Sequence, residues 1–306
     1  MTRRNRQWIL PLILMALTFV STFYVGAAMV LGRSPGSVTD LQTGWVFSLP
    51  LMAILLAHEF GHFFAGKYHD VDTSPPYFIP APFLFFGTLG AIIQIRERIR
   101  SRNALLDIGA AGPWAGMVVA LPVVIYGIAN SPIEALPEAN YIIEGRSLLY
   151  LGLLSCLKGP IPPGYDIMLT PTALAGWAGL LVTMINLIPF GQLDGGHVAY
   201  ALLGPRQDQL SRHLLRGLLL VAVIVGAAYG IPSYLDGVRG ERLASDFMAG
   251  MHWMVWALLL WLLTRATGSE HPPTDDSRVS PRRRIGGWLT LLLFALLFMP
   301  SWIRVQ

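Results

Sequence analysis

The chain has 306 residues, of which 54% are hydrophobic and 13% charged, with a formal net charge of +4. Soluble domains carry about 25% charged residues, so this composition excludes an ordinary soluble domain and predicts an all-α polytopic integral membrane protein. The positive balance does not predict a nucleic-acid partner, because the basic residues flank apolar runs, where membrane topology accounts for them; the single Cys156 excludes an intramolecular disulfide and a cysteine-based zinc site.

Seven apolar stretches approach the ~20 residues needed to cross a bilayer core: 8–31, 44–67, 104–129, 169–189, 214–231, 249–265 and 285–303. Arg3, Arg4 and Arg6 precede the first, and no clear small-residue cleavage site follows it, so it reads as a transmembrane helix rather than a cleaved signal. With the N-terminus inside, most lysines and arginines fall on one face, including Lys67, Arg96, Arg98, Arg100, Arg102, Arg206, Arg212, Arg216 and the run Arg282–Arg284. This bias predicts a cytoplasmic N-terminus, an outer C-terminus and a multi-pass protein of a bacterial-type inner membrane. Three regions are expected: 1–43 as first helix and outer loop, 44–204 as catalytic core, and 205–306 as C-terminal helices.

The second stretch contains LMAILLAHEFGHFFAGK, in which His58, Glu59 and His62 are ordered H-E-x-x-H. Residues four apart lie about 40° apart around a helix, so both imidazoles share one face. Two imidazoles so placed can hold one zinc ion, and Glu59 can serve as a general base. Charged groups at bilayer depth cost roughly 2.5–3.5 kcal/mol on insertion scales, which makes a polar cluster there a functional candidate. The plainer alternative is that His58 and Glu59 pair with each other or cap a helix contact.

Between the second and third spans, Pro75, Pro76, Pro80 and Pro82 forbid a regular helix. The following FLFFGTLGAIIQI, residues 83–95, is apolar and β-branched, with Gly87 and Gly90 marking a turn or bulge. It predicts a membrane-associated β-hairpin beside the site, with a short amphipathic surface segment as the alternative. RERIRSR, residues 96–102, predicts a surface anchor. Gly109, Gly112 and Gly116 then let the third span pack tightly on the second. The outer loop 130–168 is too short for a folded domain, with residues 148–157 at the interface. Residues 194–209 predict a short surface helix and turn, interrupted at Gly204-Pro205. The polar segment 268–284, carrying His271-Pro272-Pro273, Asp275 and Asp276, predicts a cytoplasmic loop with a solvated His271, the alternative being a His271 that approaches the metal.

A catalytic zinc wants three protein ligands plus water, so two histidines leave one place open. The fourth span ends in NLIPFGQLDGGH, where Pro189 and Gly191 break the helix and Asp194 can project back, placed by the backbone freedom of Gly195 and Gly196. Asp194 is the expected third ligand; the alternative is an N-cap of the following short helix. Asn186 can hydrogen-bond substrate or transition state, or serve as an ordinary interhelical bond. His69 and His197 flank the site as spare ligands or supporting groups.

With both motifs in hand, the chain resembles the site-2 protease family of intramembrane zinc metalloproteases. The resemblance rests on HEFGH at 58–62 and NLIPFGQLDGG at 186–196, and GTLGAIIQI and GAAGPWAG resemble the family's β segment and third-helix glycine motif. It implies one Zn2+ per chain held by His58, His62 and Asp194, with Glu59 catalytic. It further implies hydrolysis of peptide bonds in or near the transmembrane segments of single-span membrane proteins; the charge bias puts His62 and the end of the fourth span, hence the active site, toward the cytoplasm. The His-Pro-Pro element is similar to that of a subgroup with chloroplast and cyanobacterial members. No PDZ domain between spans or terminal CBS pair is expected. The competing reading is a metal-ion or proton transporter using the same polar residues, against which stands the lack of an internal repeat. A silent, substrate-binding relative is the other, against which stands the intact Glu59. The oligomeric state is not legible.

Overall fold

The computed structural model describes residues 3–137, 141–267, 271–272, 274–275 and 277–305; Pro273 and Asp276 of the expected polar loop lie outside the described residues. In chain order the first helices are α1 (Arg3–Leu31), α2 (Val38–Gln42) and α3 (Trp45–Tyr68). Strands β1 (Tyr77–Pro80) and β2 (Thr88–Ile92) precede α4 (Arg102–Asn130). A loop with β3 (Ile133–Ala135), β4 (Ile142–Glu144), α5 (Leu148–Lys158) and β5 (Tyr165–Ile167) leads to α6 (Pro171–Asn186) and α7 (Asp194–Leu203). The chain continues through α8 (Arg206–Leu235), α9 (Gly240–Phe247), a 3-10 turn, α10 (Met251–Thr267), α11 (Pro281–Leu297) and β6 (Ile303–Val305).

Among the described residues, five helical segments are long and apolar enough to cross a membrane: Gln7–Leu31, Trp45–Tyr68, Arg102–Asn130, Arg206–Leu235 and Gly240–Arg265. The expected count of seven is not reached. The stretches 169–189 and 285–303 yield helices of 16 and 17 residues, ending at Asn186 and Leu297, ahead of Pro189 and Pro300. At 1.5 Å per residue, such helices reach about 24–26 Å, short of a core of about 30 Å. Helix α6 tolerates this because protein surrounds it: Ala175, Trp177, Ala178 and Leu180 are fully buried, so its ends find partners other than lipid. Helix α8 starts at Arg206, eight residues before the expected 214, because Pro205 provides the turn into it.

Local chemistry fixes the ends that matter for the site. Ser101, in extended conformation, caps α4 by accepting from the Ala104 N–H, and Thr170 caps α6 by accepting from Ala173 with Pro171 at the first turn. Helices α3, α4 and α6 share a core in which Phe47, Leu51, Ile54, Ala120, Val124 and Leu180 are buried. Leu10, Ile13, Val20, Val118, Tyr126, Val223, Ile224 and Leu258 are exposed on the outer helix faces, an apolar coat of the kind a bilayer covers.

Strand β1 pairs antiparallel with β2, Tyr77 opposite Ile92 and Phe78 opposite Ala91, with a register irregularity before Pro80 opposite Thr88. The first strand therefore lies upstream of residues 83–95, and 83–87 belongs to the connection. Pro80 is tolerated because it sits at the irregular end of a two-stranded pair. Gly87 closes the connection at φ +74, and a Cβ there would lie 2.9 Å from the Ser21 carbonyl oxygen and the Thr22 Cα of α1. After α4, β3 pairs with β5 and β4 with β6. Arg146 joins these pieces by donating to Asp166 at 2.6 Å and Glu144 at 3.2 Å. Burial pushes the Glu144 carboxyl above its ordinary value, partly offset by Arg146.

Candidate metal centre

Helix α3 carries His58, Glu59 and His62 on its inner face, 3%, 6% and 9% exposed. That face can be buried because α4 meets it with glycines. A Cβ on Gly112 would collide with the His62 ring, and one on Gly116 would come within 3.2 Å of the His58 Cβ. The two helices thus approach closely enough for the rings to lie between them. His62 Nδ1 is 2.7 Å from the Ile108 carbonyl, to which it donates, so its Nε2 is the nitrogen turned to the site.

Asp194 reaches the same point from α7. The N-cap of that helix is Leu193, with no side-chain cap bond, so the capping alternative for Asp194 does not hold. Its Oδ2 stands 3.2 Å from His58 Nε2 and 3.2 Å from His62 Nε2, and the two Nε2 atoms are 3.2 Å apart. Gly195 and Gly196 contribute differently from the expectation. Both have ordinary helical backbones rather than positive φ. A Cβ on Gly195 would collide with the Leu187 carbonyl, and one on Gly196 with the Gly191 carbonyl. The paired glycines let the broken end of α6 fold flat against the start of α7, which brings Asp194 back to α3.

Three atoms able to ligate a metal therefore form a near-equilateral triangle with 3.2 Å edges. A tetrahedral zinc with bonds of about 2.0–2.1 Å separates its ligand atoms by about 3.3–3.4 Å. The donor set, two imidazoles and one carboxylate, is also zinc's, so the residues fit that ion. This is the group among the described residues that could hold a metal.

The triad opens on a cavity of about 200 Å³. Its polar lining includes Glu59, Asn186 and His197, and its apolar wall includes Ala91 and Ile92 of β2 and Ile93 and Ile95 just beyond it. The Glu59 carboxylate makes no hydrogen bond or ion pair among the described residues. It is free to handle a proton in the cavity. Asn186, the last residue of α6, brings Nδ2 within 3.4 Å of His58 Nε2. His69 is not at the centre: it pairs with Asp107 at 2.8 Å, and Arg283 donates to the same carboxylate. His197 borders the cavity without joining the triangle. His271 is not solvated as the sequence led one to expect; it is buried, with Nε2 2.8 Å from His197 Nδ1. The only signal for this pair was the His-Pro-Pro element, since no spacing connects residues 74 apart.

A family model described as Peptidase family M50 matches residues 46–226. "Probable zinc metalloprotease EGY1, chloroplastic" of Arabidopsis thaliana is 28% identical over 97% of this chain and 54% of its own length. "Probable zinc metalloprotease EGY2, chloroplastic" of Oryza sativa subsp. indica is 29% identical over 84% of this chain and 42% of its own. The Arabidopsis thaliana protein of that name is 33% identical over 54% of this chain and 30% of its own. The chain spans about half the length of the first two relatives. No solved structure matches the chain.

Proposed function

The chain belongs to peptidase family M50, the site-2 protease family, and we propose that it is an intramembrane zinc metalloprotease that cuts single-span membrane proteins in or near their transmembrane segments. The observation that carries this reading is the His58–His62–Asp194 triangle, set beside an unengaged Glu59 within a bundle of apolar helices. Family membership and relatives named as zinc metalloproteases point the same way.

His58, His62 and Asp194 would hold the ion. Zinc bound there supplies a Lewis acid that polarises a peptide carbonyl and acidifies water. The Glu59 carboxylate takes a proton from the attacking water and delivers it to the nitrogen of the leaving amine. The Asn186 amide N–H donates to the scissile carbonyl oxygen, where negative charge develops. Helical substrate must unwind to expose its peptide bonds. The β2 segment that walls the cavity offers an extended backbone against which the unwound stretch can align by strand addition, and this is the part we assign to the membrane-associated strand pair.

The arginine-rich face, read as cytoplasmic, is the side to which the site opens in this proposal. Relatives named chloroplastic lend no support to a bacterial-type inner membrane, and the proposal is confined to a multi-pass protein with that sidedness. The test is cleavage of a single-span substrate by purified protein in liposomes, followed by chelation and readdition of zinc. Cleavage lost on chelation and restored by zinc is expected; cleavage indifferent to chelation, in protein shown to have lost its metal, would contradict it.

A further inference from the structure

A pair of histidines ties the cavity to the segment between α10 and α11. His197 lies three residues after Asp194 on α7 and borders the cavity. Its side chain is seated against Gly109 of α4, where a Cβ would come within 2.8 Å of the His197 Cβ. Its Nδ1 is 2.8 Å from Nε2 of His271. His271 is itself firmly held: its backbone N–H donates to Asp208 Oδ1 at 3.0 Å, and its ring stacks on Tyr200 with centroids 4.1 Å apart. Its Nδ1 lies 2.8 Å from the Pro272 carbonyl oxygen.

These contacts fix the protons. A carbonyl can only accept, so His271 Nδ1 carries the hydrogen and donates to Pro272. Burial pushes the His271 imidazole below its ordinary 6.5, against the smaller pull of the Pro272 carbonyl and Asp208, so the ring is neutral. Its Nε2 is then an acceptor, and the hydrogen between the rings belongs to His197 Nδ1. Neutral His197 is left with a lone pair on Nε2, and that atom makes no hydrogen bond among the described residues.

An extended peptide presents N–H donors as well as carbonyls. The metal triad, Glu59 and the Asn186 amide are matched to the carbonyl, the water and the leaving amine. We propose that His197 is a substrate-binding residue whose Nε2 accepts a backbone N–H of the extended substrate, with His271 as the positioning residue that sets its tautomer. This rests on the protease reading above and extends it to a group no motif assigns.

Backbone esters in a synthetic single-span substrate remove one N–H at a time from positions flanking the cut. With the full chain, zinc-loaded in liposomes, one ester is expected to raise KM about 3- to 10-fold, the worth of one net hydrogen bond. His197→Asn keeps a donor to His271 but has no nitrogen at the Nε2 position. It should show the raised KM with the all-amide substrate and no further penalty from that ester. His271→Gln, whose amide oxygen still accepts from His197, should retain the ester penalty, and His271→Ala should lose it. Zinc content, measured alongside, should stay at one per chain in all variants. Equal ester penalties in wild type and His197→Asn at every position would overturn the proposal, as would loss of zinc from a folded His197→Asn. If His197→Asn does not fold, the contrast between His271→Gln and His271→Ala decides. Failure of zinc-loaded wild type to cleave the all-amide substrate would overturn the protease reading and this proposal with it; cleavage with uniform penalties overturns this proposal alone.

Discussion

His62 and Gly112 depend on each other: the ring occupies the space that any Cβ on the facing helix would take. Gly112→Ala should therefore push α4 from α3 or turn the His62 ring out of the triangle. Overpacking of this kind costs about 1–3 kcal/mol, and the expected outcome is loss of most bound zinc and of activity. Gly217→Ala, where nothing lies within 4 Å of the added Cβ, is the matched control. Full zinc content in purified Gly112→Ala would contradict this account of the glycine. Asp194→Ala should likewise lose zinc, because two imidazoles alone leave the ion one protein ligand short; retained zinc and activity would remove Asp194 from the ligand set. At this scale the sequence was partly legible. Spacing alone puts His58 and His62 on one helix face, because the helical repeat is a local property. The part played by Gly195 and Gly196 was not legible, because contact with the Leu187 and Gly191 carbonyls depends on how the broken end of α6 folds back in space, and a sequence cannot distinguish that use of glycine from backbone freedom. The burial of His271 was hidden for the same reason: its partners His197, Tyr200 and Asp208 come from α7 and α8.

Among the elements, the strand pair is where local signals failed. β-Branched residues punctuated by Gly87 and Gly90 marked residues 83–95 as a hairpin, but the partner of β2 is the proline-bearing Tyr77–Pro80, selected by pairing and by the lean of Gly87 on α1 rather than by propensity. Gly87→Val tests the pair's proposed function without touching His58, His62 or Asp194. A branched residue at φ +74, with its Cβ 2.9 Å from the Ser21 carbonyl oxygen, is strained by about 1–3 kcal/mol. If the strands align the substrate, Gly87→Val should raise KM severalfold while zinc content stays at one per chain. An unchanged KM in a folded, zinc-loaded protein would argue that the strands do not bind substrate. The helices were legible to within a few residues at most ends, as 44–67 against Trp45–Tyr68 illustrates, because twenty apolar residues are a signal on their own. The exceptions are the start of α8, eight residues ahead of the expected 214, and the ends of α6 and α11, shortened where the chain breaks ahead of Pro189 and Pro300; hydropathy registers neither a polar first turn nor a break followed by further apolar residues.

Across the whole molecule, charge placement and the helix order make one topological expectation that does not depend on whether five or seven segments span. Ser101 at the start of α4 and Cys156 in the loop after it are separated by a single long apolar helix, so they belong on opposite faces. The exposed native Cys156 should react with an impermeant thiol reagent from one side, and Ser101→Cys, in a Cys156→Ser background, only from the other. Labelling of both from the same side would contradict the membrane arrangement. The proposed chemistry is hydrolysis at a metal site whose base is Glu59. Glu59→Gln keeps the size of the side chain and removes its basicity, while His58, His62 and Asp194 remain. General-base loss costs roughly 10²–10⁴-fold in rate. The most direct measurement is cleavage of a single-span substrate in liposomes by wild type and Glu59→Gln, with zinc content determined on the same samples. Equal zinc, one per chain, and a rate in Glu59→Gln reduced by at least about 100-fold are expected; undiminished cleavage by zinc-loaded Glu59→Gln would remove Glu59 as the base.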